Sequence, residues 1–305
     1  MQLNNYFRIA NKGSIQNGCF LIMIIILDEL KNFLKRSAMF MLFLICGLSV
    51  FFINITFSSD LPDSIRLISK IAICILYLFI AILIKNDKAL RSVFFAFFTA
   101  SIAILLSSLL SDPILNLFNL NIETPQGIAL TKLVESLFIV IPIILITIFT
   151  KNNLGSIYIK RGKIKLSIII GLISFLILTF LAVAQISGQN VKLENVIHLI
   201  PWILIFVISN GFMEELLSRG LFLKKYSKIL GPNLSNLLVA IIFALAHIQV
   251  EYTQDLPVFL IFTFLFALIW GFIMQKTDNI WGAALFHAGA DMVFIIPIFT
   301  QYGAI

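Results

Sequence analysis

The amino-acid sequence predicts an all-α fold, a polytopic transmembrane helical bundle of about 8–9 spans, on three observations. Of its 305 residues, 60% are hydrophobic and only 12% charged, with a mean hydropathy of +1.04. A water-soluble domain of this size needs more charge to cover its surface. Several apolar runs also reach the ~20 residues that a helix needs to cross a hydrocarbon core of ~30 Å. Finally, the alternating segments of about ten residues that mark a membrane β-barrel do not occur, and backbone groups in lipid then have only helices to satisfy them.

The spans are expected at about 37–57, 67–84, 92–111, 128–150, 166–187, 196–218, 234–250, 256–275 and 280–299. The short apolar stretch 19–27 precedes them. Asp28 and Glu29 follow it where a signal peptide would place small residues, so it reads as interfacial or membrane-dipping. Cys19, Cys46 and Cys74 have no redox or metal-site spacing and read as packing residues.

Charge tests the span count. Segments 1–36, 85–91, 151–165, 219–233 and 276–279 hold 18 of the 22 Lys and Arg, and the alternate segments hold only Arg66 and Lys192. Lys70 and Lys132 fall within spans. Cytoplasmic loops accumulate Lys and Arg, which predicts an integral membrane protein with a cytoplasmic N-terminus. A composition rich in Ile, Leu, Lys and Asn points to the cytoplasmic membrane of a bacterium. The net charge of +7 follows from this topology and from anionic lipid, so no nucleic-acid partner is expected.

Two regions are expected: residues 1–190, a membrane-embedded helical region of about five spans with few buried polar groups, and residues 191–305, which carry nearly all of them. An ionisable residue inside a span costs roughly 2.5–3.5 kcal/mol on insertion scales, so each one requires a reason. Three patterns hold most of them: Glu214-Glu215-Leu216-Leu217-Ser218-Arg219, Phe243 to His247, and His287 to Asp291. Glu215 and Arg219 are one helical turn apart and can pair, whereas Glu214 points about 100° away toward another neighbour. Phe243 shares a face with His247, as His287 does with Asp291, and an Asp one turn after a His can orient the imidazole or share a ligand with it. By helical rise, Glu214, His247 and His287 are expected roughly 10–20 Å from the cytoplasmic ends of their spans, around one polar cavity open to the cytoplasm.

Taken singly, structural readings win. A lone intramembrane His is more often an interhelical hydrogen-bond partner than a catalyst. Lys132 and Glu135 are three apart and read as a pair, and His198, near Pro201 and Trp202, reads as interfacial. Two adjacent acids, two His and an Asp within 80 residues of a lipid-embedded chain are harder to ascribe to packing.

Glu214-Glu215 with Arg219 (EExxxR), Phe243 with His247 (FxxxH) and His287 with Asp291 (HxxxD), in that order over about 195–300, resemble the CPBP family of CAAX proteases and bacteriocin-processing enzymes, also called the Abi family. The resemblance implies an intramembrane endopeptidase. Glu214 would activate water with help from His247, His287 and Asp291 would stabilise the oxyanion, and Glu215, Arg219 and Phe243 would support the site. The family commonly has Asn at the last position, and Asp291 cannot donate a hydrogen bond unless protonated. Asp291 is then a neutral donor, a partner of His287, or one of a metal set with Glu214, His247 and His287, in which zinc or another divalent metal would be chemically reasonable. No cofactor is favoured over a metal-independent glutamate mechanism.

The expected partners are a peptide or membrane-protein substrate and the lipid bilayer. HExxH and GxGD protease motifs are absent. Two alternatives stand beside the protease: a non-catalytic bacteriocin-immunity or membrane-protein partner on the same scaffold, and a proton-coupled transporter. The latter is disfavoured because the spans show no inverted-repeat symmetry.

Overall fold

The computed structural model describes residues 15–54, 62–121, 123–187, 193–250, 253 and 255–302. These form helices α1 (Ile15–Asn54), α2 (Asp63–Leu83), α3 (Lys88–Leu117), α4 (Pro125–Phe149), α5 (Ile164–Ser187), α6 (Leu193–Glu215), α7 (Leu221–Leu230), α8 (Pro232–Ala246), α9 (Leu256–Thr277) and α10 (Trp281–Tyr302). No strand occurs among the described residues. A π turn, Leu216–Gly220, joins α6 to α7 in one helical rod, and a 3₁₀ turn, Leu154–Ile157, lies before α5.

Eight of these helical stretches are long and apolar enough to cross a membrane. The expected span at 234–250 is instead the short helix α8. Its 15 residues extend about 22 Å, less than a hydrocarbon core of ~30 Å. The stretch 19–27 is part of α1, whose candidate span is Ile25–Phe52. Residues 55–57 of the first expected span lie outside the described residues.

Contacts divide the chain into two units, Met1–Phe43 and Leu44–Ile305. In the first, Met23, Ile26, Leu27 and Phe33 are exposed apolar side chains. The second holds α2 to α10.

Its helices start where the sequence supplies caps. Asp87 accepts from the Ala89 and Leu90 amides ahead of α3, and Thr124 accepts from Gly127 N ahead of α4. Asp255 accepts from Val258 N ahead of α9. These side chains satisfy amides that no preceding turn can reach. The outer surfaces are apolar, as a lipid solvent requires: α5 exposes Ile169, Leu172, Ile173, Ile177 and Phe180. Its other face packs on α10, which also lies along α6.

Small residues set these approaches. A Cβ on Gly289 would stand 2.6 Å from Phe175 Cα, and one on Gly211 would stand 2.9 Å from Ala284 O. In lipid, where apolar burial gives no preference for helix over tail, such close backbone packing holds helices together. Between α5, α6 and α10 lies a cluster of Ala182, Ile186, Ile203, Val207, Met292 and Phe299. Helix α3 packs between α2 and α4, and α4 joins this row to α6.

The early helices are more polar inside than the sequence suggests. Lys70, Thr99, Ser101, Ser107, Ser111, Ser136 and Thr147 are all buried there. Hydroxyls can hide in an apolar helix by bonding to the preceding turn, as Thr99 does to Phe95 O and Thr147 to Ile143 O. Cys46 and Cys74 are buried free thiols, as expected of packing residues.

One end of this unit is tied shut. Lys163 N donates to Thr277 O at 2.7 Å and Ile280 N to Tyr158 O at 3.1 Å. Asn279 donates to Arg161 O and accepts from Ser167 Oγ. Lys160 and Lys224 both pair with Asp278. Burial pushes the Asp278 carboxyl up, but contact with the two lysines wins and holds it below the ordinary carboxylate range.

Candidate active site

The three sequence patterns meet in space. Glu214 and Glu215 end α6, Arg219 lies in the π turn, Phe243 is in α8, and His287 and Asp291 are in α10. His247 is not inside a helix as expected but caps the C-terminus of α8. Along the chain, Glu214 is about 24 Å of helix from the Leu230 end, while His287 is about 9 Å from the start of α10. They meet because the helices are staggered, not because the residues share a depth from their helix ends.

Glu215 and Arg219 form the base of the site. Arg219 Nη1 donates to Glu215 Oε1 at 2.6 Å, and both side chains are 0% exposed. The guanidinium also donates through Nε to Ala267 O. It lies 4.6 Å from the Phe243 ring centroid and 5.1 Å from that of Trp270. Two aromatic faces and a carbonyl thus replace the water that a buried cation loses. The π turn belongs to this arrangement: Leu221 N reaches back five residues to Leu216 O. A widened turn of this kind commonly marks a functional site.

Glu215 Oε1 carries a second bond, to His287 Nδ1 at 2.9 Å. A carboxylate accepts only, so Nδ1 bears the proton. The Trp270 indole stacks on the His287 ring at 4.1 Å and 7°, and Phe243 meets the ring edge-on at 5.7 Å. The imidazole is therefore fixed in position and in plane. Its Nε2 faces Glu214 Oε2 at 3.5 Å and Asp291 Oδ1 at 3.6 Å.

Glu214 points away from Glu215, as the helical spacing predicts, and Oε2 also faces His247 Nε2 at 3.9 Å. His247 Nδ1 lies 2.8 Å from Phe243 O. A carbonyl cannot donate, so Nδ1 carries a proton, and in the neutral ring Nε2 is left as an acceptor. Glu214 Oε2 is enclosed and forms no hydrogen bond, although Glu214 lines a cavity.

Other participants escaped the sequence reading. Asn210 Nδ2 donates to Asp291 Oδ2 at 3.0 Å, so the partner of Asp291 comes from α6. Asn210 lies one turn before Glu214, and a buried amide in an apolar run could have signalled it. Trp270 sits in a run of aromatic and aliphatic residues and carried no signal. Lys132 and Glu135 pair at 3.0 Å as expected, but on the wall of the same cavity as Glu214. His198 is exposed, in keeping with an interfacial position.

The cavity has a volume of about 730 Å³ and is lined by Glu214, His247, Lys132, Lys70, Ser107 and Asp112, among others. Asp63 opens α2 and Asp112 lies near the end of α3, and both are exposed. The mouth therefore lies at the ends of the helices opposite the tied loops 150–163 and 277–280. Those tied loops are Lys- and Arg-rich.

Glu214, His247, His287 and Asp291 gather, yet among the described residues no three or more His, Cys, Asp or Glu side chains converge as a metal would require.

Comparison with curated proteins returned no match, and comparison with solved structures returned none. A family model does match: residues 196–293 fit type II CAAX prenyl endopeptidase Rce1-like proteins. The matched segment holds Glu214, Arg219, His247, His287 and Asp291, while α2, α3 and α4 lie outside it. Residues 196–293 are therefore similar to Rce1-like proteins, a likeness consistent with the CPBP/CAAX family of intramembrane proteases.

Proposed function

We propose that this chain is an intramembrane endopeptidase that hydrolyses peptide or membrane-associated protein substrates by carboxylate-activated water. The observation that carries the reading is Glu214: a carboxylate on a cavity wall, with imidazole nitrogens at 3.5 and 3.9 Å. Oε2 is turned to the two rings, so Oε1 is left to take a proton from a cavity water as the water attacks the scissile carbonyl. His247 Nε2, an acceptor, can receive that proton and pass it to the leaving amine.

The oxyanion is assigned to His287. With Nδ1–H committed to Glu215, an Nε2 proton is the donor aimed outward, and Asp291 favours that proton by facing it. Asp291 acts here as the partner of His287, held by Asn210, and not as a substitute amide. Glu215, Arg219, Phe243 and Trp270 fix the ring. A prenylated peptide, as in the family's name, and a bacterial leader peptide are both within the substrate class.

Glu214→Gln tests the reading. A 10²–10⁴-fold fall in kcat/KM is expected, with the protein inserting and accumulating normally; full activity in that variant would sink the mechanism. Exhaustive chelation of the purified protein should leave cleavage unchanged, and loss restored by zinc would replace the glutamate mechanism with a metal one.

A further inference from the structure

The candidate span within α1, Ile25–Phe52, has 28 residues and so measures about 42 Å, well over a hydrocarbon core of ~30 Å. Its first part holds five charges, Asp28, Glu29, Lys31, Lys35 and Arg36, whereas residues 37–54 hold none. Charged side chains avoid the core, so residues 37–54 cross it and the charged stretch lies beyond it.

Beyond the core, that stretch has two faces. Met23, Ile26, Leu27, Leu30, Phe33 and Leu34 are 50–65% exposed and, at 100° per residue, fall within one arc of about 120°. The five charges and Asn32 all fall outside that arc. Met23, Leu27, Leu30 and Leu34 step by four, three and four residues, the 3.5-residue repeat of a seam between two helices. The same arc continues into the core with Met41 and Ile45, which are also exposed, so a partner helix can follow it.

Two surroundings can cover such a stripe, the lipid headgroup layer or another helix. To lie in the headgroup layer, the charged stretch would have to turn off the crossing helix near Arg36. Helix α1 instead runs unbroken from Ile15 to Asn54, and neither proline nor glycine falls between Gly18 and Gly47 to bend it. Charge placement selects the partner helix. Two copies in one membrane share an orientation, so their α1 helices pair in parallel and each seam residue faces its own counterpart. No seam residue is charged, and Lys31 is the one charge flanking the seam. In a parallel pair it faces Ile26 of the second copy, along which its stem can lie, and Asp28, Glu29, Lys35 and Arg36 keep to the outer faces. Like charges therefore do not oppose one another across the seam.

We infer that α1 is an interface between two copies of this chain, joined in parallel along Met23, Leu27, Leu30 and Leu34. The inference is independent of the endopeptidase reading of Glu214.

The test uses the full chain in phosphatidylcholine vesicles at low protein density, with Cys19, Cys46 and Cys74 replaced by Ala. Copper-phenanthroline oxidation should link copies carrying Leu27→Cys, Leu30→Cys or Leu34→Cys at least tenfold faster than copies carrying Asn32→Cys, because only the seam comes within disulfide reach. Two-colour colocalisation of C-terminally labelled copies should fall at least fivefold when both carry Leu27→Glu with Leu34→Glu. It should return when that variant is mixed with one carrying Leu27→Lys and Leu34→Lys, whose charges then face it across the seam.

Equal linking rates at all four positions overturn the interface. So does colocalisation that the Glu variant leaves unchanged, or that the mixed pair does not restore. Quenching of a seam-attached fluorophore by brominated lipid, without disulfide linking, assigns the stripe to the headgroup layer and overturns it as well. If the Glu variant does not accumulate, the linking rates alone decide.

Discussion

The two ends of the 44–305 unit are built on opposite principles. At one end, Asp278, Asn279, Lys160 and Lys224 bind loop to loop through side chains and backbone. At the other, some polar side chains pair, as Lys132 does with Glu135, but Lys70 and Glu214 Oε2 face a cavity without hydrogen-bond partners. The first arrangement uses its polar groups to close the structure. The second leaves them available for a ligand, at a cost in stability that the closed end and the α5–α10 contact offset.

Accessibility gives the sharpest test of this contrast. In a protein with Cys19, Cys46 and Cys74 replaced by Ala, Asp63→Cys and Asp112→Cys should react with an impermeant maleimide from one side of the membrane. Lys160→Cys should react from the other, with rates from a given side differing at least tenfold. Labelling of all three from one side would break the two-ended arrangement.

Arg219→Ala removes the buried partner of Glu215 and the ring contacts of Phe243 and Trp270. A loss of about 3–5 kcal/mol is expected, read as a lowered thermal midpoint in detergent; an unchanged midpoint would mean that the pair does not organise the site. Gly289→Ala pushes a methyl toward Phe175 and should cost about 1–3 kcal/mol. A neutral result would show that α5 and α10 can separate freely.

Asp278→Asn should cost about 1 kcal/mol or less, because its side chain is 45% exposed and solvent screens the pairs. Since the lysines hold the folded-state carboxylate below its ordinary value, that contribution is full above pH ~4 and fades as pH falls through the lowered value. Thermal midpoints of the two proteins should therefore converge in acid. A difference that grows in acid would contradict the pairing.

Local regularities were legible in the sequence where helical geometry sufficed. Glu215 and Arg219, or Phe243 and His247, are one turn apart, so a helix alone brings them together. The opposed direction of Glu214 follows equally from 100° per residue. Contacts between distant elements were not legible. Asn210 and Asp291 are 81 residues apart, and the Trp270 stack on His287 depends on how α9 meets α10. The position of His247 beyond its helix followed from the early end of α8, within a run whose apolar composition continues past it. The polar wall of α2 and α3 was masked because serines in an apolar helix leave hydropathy nearly unchanged.

The shortness of α8 has a consequence for the reaction medium. Hydrolysis consumes water, and the hydrocarbon interior contains almost none. A helix of about 22 Å that ends at His247 leaves several ångströms of bilayer without a matching wall, which lipids meet by thinning or by yielding to solvent. On the endopeptidase reading, hydration of the chemistry is then coupled to membrane thickness, and acyl-chain length is expected to change turnover without touching a site side chain.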